Sequence, residues 1–74
     1  MSDIDFSTTA SVETLSHEVT CLKATVTLLL KAIGQADAGK VIINMEKYIT
    51  QLEDAEQAAV FDNTIKQIKH AYRQ

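Results

Sequence analysis

The sequence predicts an all-α fold: a three-helix hairpin or bundle with a long, heptad-patterned first helix, assembling as a dimeric helical bundle. Three observations carry that expectation. Apolar residues between Val12 and Ile33 recur at spacings of 3, 4, 3, 4, 3 and 4, the pattern of one helical face. Two later segments also repeat apolar residues at helical spacing. The chain has 2 Gly and no Pro, too few turn formers for a sheet sandwich.

The chain divides into a flexible N-terminal tail, residues 1–10, and a single helical domain, residues 11–74, with helices at about 11–34, 37–52 and 54–73. The tail is polar, with hydroxyls at Ser7, Thr8 and Thr9. Ser11 is the expected N-cap of the first helix, because its hydroxyl can accept from an early backbone N–H. Glu13 then sits favourably in the first turn. Gly34 is expected to end this helix in the left-handed conformation. A linker from Gly34 to Asp37 follows, with Asp37 as the next N-cap and Gly39 weakening the first turn by about 1 kcal/mol.

The second helix carries Val41, Met45, Tyr48 or Ile49, and Leu52 on one face, widened by Ile42. The third starts at Asp54, where Asp54 and Gln57 form a variant of the capping box. Its apolar face is Ala58, Phe61, Ile65, Ile68 and Tyr72. No Gly or Pro separates these two helices, and the argument for a break is a change of phase. The register through Leu52 predicts apolar residues where Asp62 and Lys66 stand.

In heptad terms Val12, Val19, Val26 and Ile33 occupy a, while Leu15, Leu22 and Leu29 occupy d. These seven residues are the expected dimer interface. β-Branched residues at a with Leu at d suit a parallel two-stranded coil, and Glu18 at g can bridge to Lys23 at e of a partner. An antiparallel pair through the same stripe remains open. The stripe can also be the core of a monomeric three-helix bundle. Leu28 and Leu30 lie off the seam, so one side of this helix can pack internally while another meets a partner.

Function classes narrow by exclusion. At 74 residues there is one domain at most, of a size that is marginal alone. Cys21 is the single cysteine, so no intramolecular disulfide forms. Its free thiol and an acidic start, with no basic and apolar leader, point to the cytoplasm. Runs such as Leu28-Leu29-Leu30 are far short of the roughly 20 residues that span a bilayer, so no membrane role is expected. His17 and Cys21 are neighbours on a helical face, but two ligands do not make a zinc site, and the other histidine is the distant His70. A catalytic Cys21 would need a base and an oxyanion stabiliser, and His17 alone would have to serve. The carboxylate pairs Asp3/Asp5 and Glu53/Asp54 sit in the tail and at a helix junction, without an apolar pocket to raise a pKa. The stretch from Gly34 to Lys40 lacks the strand and the Ser/Thr of a phosphate-binding loop. No catalytic residue, metal or cofactor is therefore expected.

Lys66, Lys69, His70 and Arg73 form a basic stripe at i, i+3, i+4 and i+7 of the third helix. Such a stripe can begin phosphate contacts, yet cations near a helix C-terminus also complement its dipole. The net charge of −3 weighs against a dedicated nucleic-acid binder. The expectation is a non-enzymatic homodimeric protein-interaction module with a protein partner still to be identified. The alternative is a small nucleic-acid-associated regulator using the basic stripe.

Several segments carry a resemblance: Val19-Thr20-Cys21-Leu22-Lys23, Gly34 to Lys40 (GQADAGK), Met45-Glu46-Lys47, Gln57 to Phe61 and the ending Ile65 to Gln74 (IKQIKHAYRQ). Together they resemble the YecF-like family, short enterobacterial proteins classed as a domain of unknown function. The resemblance covers nearly the whole chain after the tail. It implies a bacterial cytoplasmic protein of this length rather than a piece of a larger enzyme. It implies no activity, ligand or site residue.

Overall fold

The described residues form three helices in sequence: α1 (Val12–Ile33), α2 (Gln35–Thr50) and α3 (Ala55–Tyr72). A computed structural model describes residues 4–74; Met1, Ser2 and Asp3 of the tail lie outside the described residues. Residues 4–11 form no helix or strand.

Ser11 starts α1, its hydroxyl accepting from the Thr14 N–H at 3.1 Å. The helix holds many β-branched residues, which are mediocre helix formers. Thr20, Thr25 and Thr27 each donate a hydroxyl to the carbonyl four residues back, at 3.1, 2.8 and 2.9 Å. That bond satisfies Thr27, whose side chain is buried.

The turn between α1 and α2 differs from the expected linker. Gly34 alone connects the two helices, capping both. Its φ of 96° and ψ of 156° lie outside the left-handed helical region, in a region open essentially only to glycine. Asp37 is not an N-cap; it lies in the first turn of α2, where its charge complements the helix dipole. The reversal takes one residue because Gly34 supplies the whole change of direction, so Gln35-Ala36 is free to enter the helix.

α2 gives way to α3 through Gln51–Asp54, as the phase change requires. Asp54 caps α3, its carboxylate accepting from the N–H groups of Glu56 and Gln57 at 2.9 and 3.2 Å. Asp54→Ala removes this cap and is expected to cost about 1 kcal/mol. A thermal melt followed by circular dichroism should then fall by roughly 4–8 °C.

All three helices pack on one another. The core is Leu30 from α1, Ala38 from α2 and Ile68 from α3, with Ile42 and Tyr72 packed against it. Ile65 is also buried, and Tyr48 stacks on Phe61 with ring centroids 6.4 Å apart. On α2 the half-buried apolar residues are Ile42, Met45 and Ile49, whereas Val41 and Tyr48 are exposed. Of the expected face, Ile42, Met45, the alternative Ile49 and Leu52 are thus half-buried, and Val41 and Tyr48 are its exposed edge. Leu30 and Ala38 flank the Gly34 turn, so the core sits at that end of the bundle. No residue from Val12 to Val26 is buried.

Candidate self-association interface

Which side of α1 faces inward decides what the heptad stripe can do. Thr27 and Leu30 are the buried residues of α1. They lie one residue on from Val26 and Leu29, about 100° round the helix. The fold uses the flank beside the stripe and leaves the stripe itself outside. All seven heptad residues are exposed, from 38% at Val26 through 63% at Leu22 to 85% at Val12. In heptad terms the inward residue Leu30 occupies e, a position that periodicity alone assigns to the rim. The signal for it in the sequence was the extra leucine off the seam.

The e-side of the stripe runs into α3. There Val19, Leu22 and Val26 of α1 meet Thr64 and Ile68 of α3 along an open groove of about 250 Å³. Lys23 bridges the two helices, its ammonium donating to the Gln67 side-chain carbonyl at 2.6 Å. On the g-side, Glu18 accepts from the Thr8 hydroxyl at 2.6 Å. Both members of the expected Glu18–Lys23 bridge thus have hydrogen-bond partners within their own chain. Beside Glu18, Phe6 of the extended N-terminal segment lines a shallow cavity with Cys21 and Leu22. In the same segment the Ser7 hydroxyl and N–H both donate to Asp5. These bonds, the hydroxyl first, hold the Asp5 carboxyl below its ordinary pKa.

The remaining sequence candidates are laid out differently. His17 and Cys21 are both exposed, and Cys21 is a free thiol. Among the described residues no three His, Cys, Asp or Glu side chains gather where a metal ion could sit. The basic stripe is partly neutralised. Lys66 pairs with Asp62 at 2.8 Å and Lys69 with Glu46 at 3.0 Å. The hydrogen bond that Lys66 donates to Asp62, reinforced by the carboxylate's charge, raises the Lys66 pKa above its ordinary value. His70 lies in the last turn of α3 and Arg73 is its C-cap. Among the described residues, no helix is long and apolar enough to cross a membrane.

Comparison with known proteins gives a consistent picture. A family model described as "Protein of unknown function (DUF2594)" matches residues 1–74. The chain is 58% identical over 74 residues to "Uncharacterized protein YecF" of Escherichia coli (strain K12), with all of both chains covered. Identity and coverage are the same for the protein of that name from Shigella flexneri. These matches agree with the resemblance drawn from the GQADAGK and AYRQ segments. No solved structure matches the chain.

Proposed function

Given that the chain belongs to the DUF2594 family, we propose that it is a non-enzymatic homodimer of the bacterial cytoplasm that serves as a protein-interaction module, with the α1 stripe as its self-association interface. The observation that supports this reading is the exposure of all seven heptad positions in a chain that buries so little else. A strict heptad is expected to face another helix, and here the chain's own helices occupy a different flank of α1.

Surface area supports the same reading. A monomer of 8.2 kDa typically exposes about 4,500 Å², and this chain exposes 6060 Å². The excess is shared between the extended residues 4–11 and the uncovered helix faces. A partner helix on the stripe would also lie against the groove beside Thr64 and Ile68, so the dimer would be a bundle of both chains rather than an isolated two-stranded coil.

Light scattering across a dilution series tests the proposal. A mass twice that of the 8.2 kDa chain is expected. Leu22→Asp should reduce it to the single-chain mass, because a carboxylate buried in an apolar seam without a partner is strongly disfavoured. Leu22 is 63% exposed within its own chain, so the substitution spares the internal core. An unchanged mass for the variant would sink the assignment.

The nucleic-acid reading has less support. Two of its four cations, Lys66 and Lys69, are engaged by carboxylates, and the chain carries a net charge of −3. Gel shifts at low salt with duplex DNA and with single-stranded RNA are expected to show no complex. Salt-dependent binding that weakened on neutralising Lys66, Lys69 and Arg73 would instead favour the regulator.

A further inference from the structure

The proposed dimer leaves one apolar surface of α1 unclaimed. Leu28 is 65% exposed and lies two residues beyond Val26 in the stripe, about 200° round the helix. With Ala24 and Thr27 it lines an open groove of about 440 Å³ between α1 and α3, whose opposite wall includes Ile68 and Ala71. Lys23 and Lys31 also line this groove. They are eight residues apart on α1, about 12 Å along the axis. Among the described residues neither ammonium is paired with a carboxylate.

Deepening the interaction-module reading, the geometry points to this groove as the docking site for a partner protein, which it engages through an amphipathic helix bearing acidic side chains. Three features select that occupant. The groove runs from Thr20 to Lys31, about 16 Å or three helical turns. Its walls carry the small side chains Thr20, Ala24, Thr27 and Ala71, which let a third backbone approach within the 8–10 Å typical of packed helices. The lysines place two positive charges beside an apolar floor in a protein of net charge −3. Two carboxylates spaced two turns apart on the edge of the incoming helix would meet Lys23 and Lys31, while its apolar residues cover Leu28. This is the helix-in-groove mode of recognition with a charge filter on one edge.

Two fluorescein-labelled synthetic helices of 15 residues test the inference against the full-length protein by fluorescence anisotropy. Both carry Leu along one face. One has Glu residues eight apart on its edge, and in the other Lys replaces each Glu. The acidic peptide is expected to bind at least tenfold more tightly at low salt, with the advantage shrinking as salt screens the lysines. Lys31→Glu should cut the advantage at least threefold. Leu28→Asp should abolish binding of the acidic peptide while leaving the solution mass unchanged. Equal affinity for the two peptides, or no binding of either, overturns the inference. So does acidic-peptide binding that survives Leu28→Asp. A halved mass for Leu28→Asp would assign the groove to a second copy of the chain, which also overturns it. Lys31→Glu carries the test alone should Leu28→Asp lose its helical circular dichroism. The self-association reading fails on a separate result, an unchanged mass for Leu22→Asp.

Discussion

Leu30→Ala is expected to destabilise the protein by about 2–5 kcal/mol. Leu30 is 4% exposed and packs with Ala38 and Ile68, and truncation would leave a void at the point where all three helices meet. The remaining helices are not free to collapse into it, because Gly34 ties α1 to α2 with no intervening loop. A domain of this size has a total stability of roughly 4–11 kcal/mol, so the loss is a large share of it. Urea denaturation should show the midpoint falling by about 1 M or more, given slopes of about 1–3 kcal/mol per M for small proteins. Leu29→Ala supplies the contrast. Leu29 is 58% exposed, so its truncation should scarcely change the stability of a single chain. It should weaken the proposed dimer instead, read as a mass that falls at higher concentration than in the parent. Equal effects at the two neighbouring leucines would mean that the inward face of α1 is misassigned.

The two glycines are expected to respond to alanine in opposite directions. A Cβ at Gly34 meets nothing within 4 Å, so the effect of Gly34→Ala is one of backbone conformation. With φ at 96°, an L-residue there is strained by about 1–3 kcal/mol. The melting temperature should fall by at least 4 °C, on the scale of roughly 4–8 °C per kcal/mol for a domain this small. Gly39 lies inside α2, and its added Cβ is equally unobstructed. Gly39→Ala therefore removes a helix-weakening residue and should stabilise by about 0.5–1 kcal/mol. A melt in which both substitutions act alike would contradict the one-residue turn.

The pair also shows what the sequence could and could not reveal. The stretch Gly34-Gln35-Ala36-Asp37-Ala38-Gly39 contains two glycines and a good capping residue, so local propensity reads it as a linker. Packing overrides that reading. Ala38 is fully buried at the approach of α2 to Leu30 and Ile68, and a helix is what delivers it there. By contrast, α3 was legible throughout. Its apolar face from Ala58 to Tyr72 is half-buried or buried at every position, because a single inward stripe and an N-capping Asp54 leave one solution. α1 was legible as a helix but not in orientation. It has apolar residues on the seam, at Leu30 and at Leu28, and periodicity ranks the seam first. The chain's own packing selects Leu30, which meets Ala38 across the Gly34 turn and Ile68 on the sequence-distant α3. The candidate interface was therefore read from the spacing, while its exposure became visible only with the flank that the core occupies. The lysine-edged groove was not legible, since it needs α1 and α3 side by side.

The concentration of the core beside Gly34 sets a direction for opening. From Ser11 to Leu22 no residue of α1 is buried, whereas Leu30 anchors its other end. Amide hydrogens along α1 should therefore exchange in a graded series, fastest near Thr14 and slowest near Leu30. In the proposed dimer the two α1 helices should part from the Val12 end inwards, and a mixture of labelled and unlabelled protein should exchange subunits without the core at the Gly34 end melting.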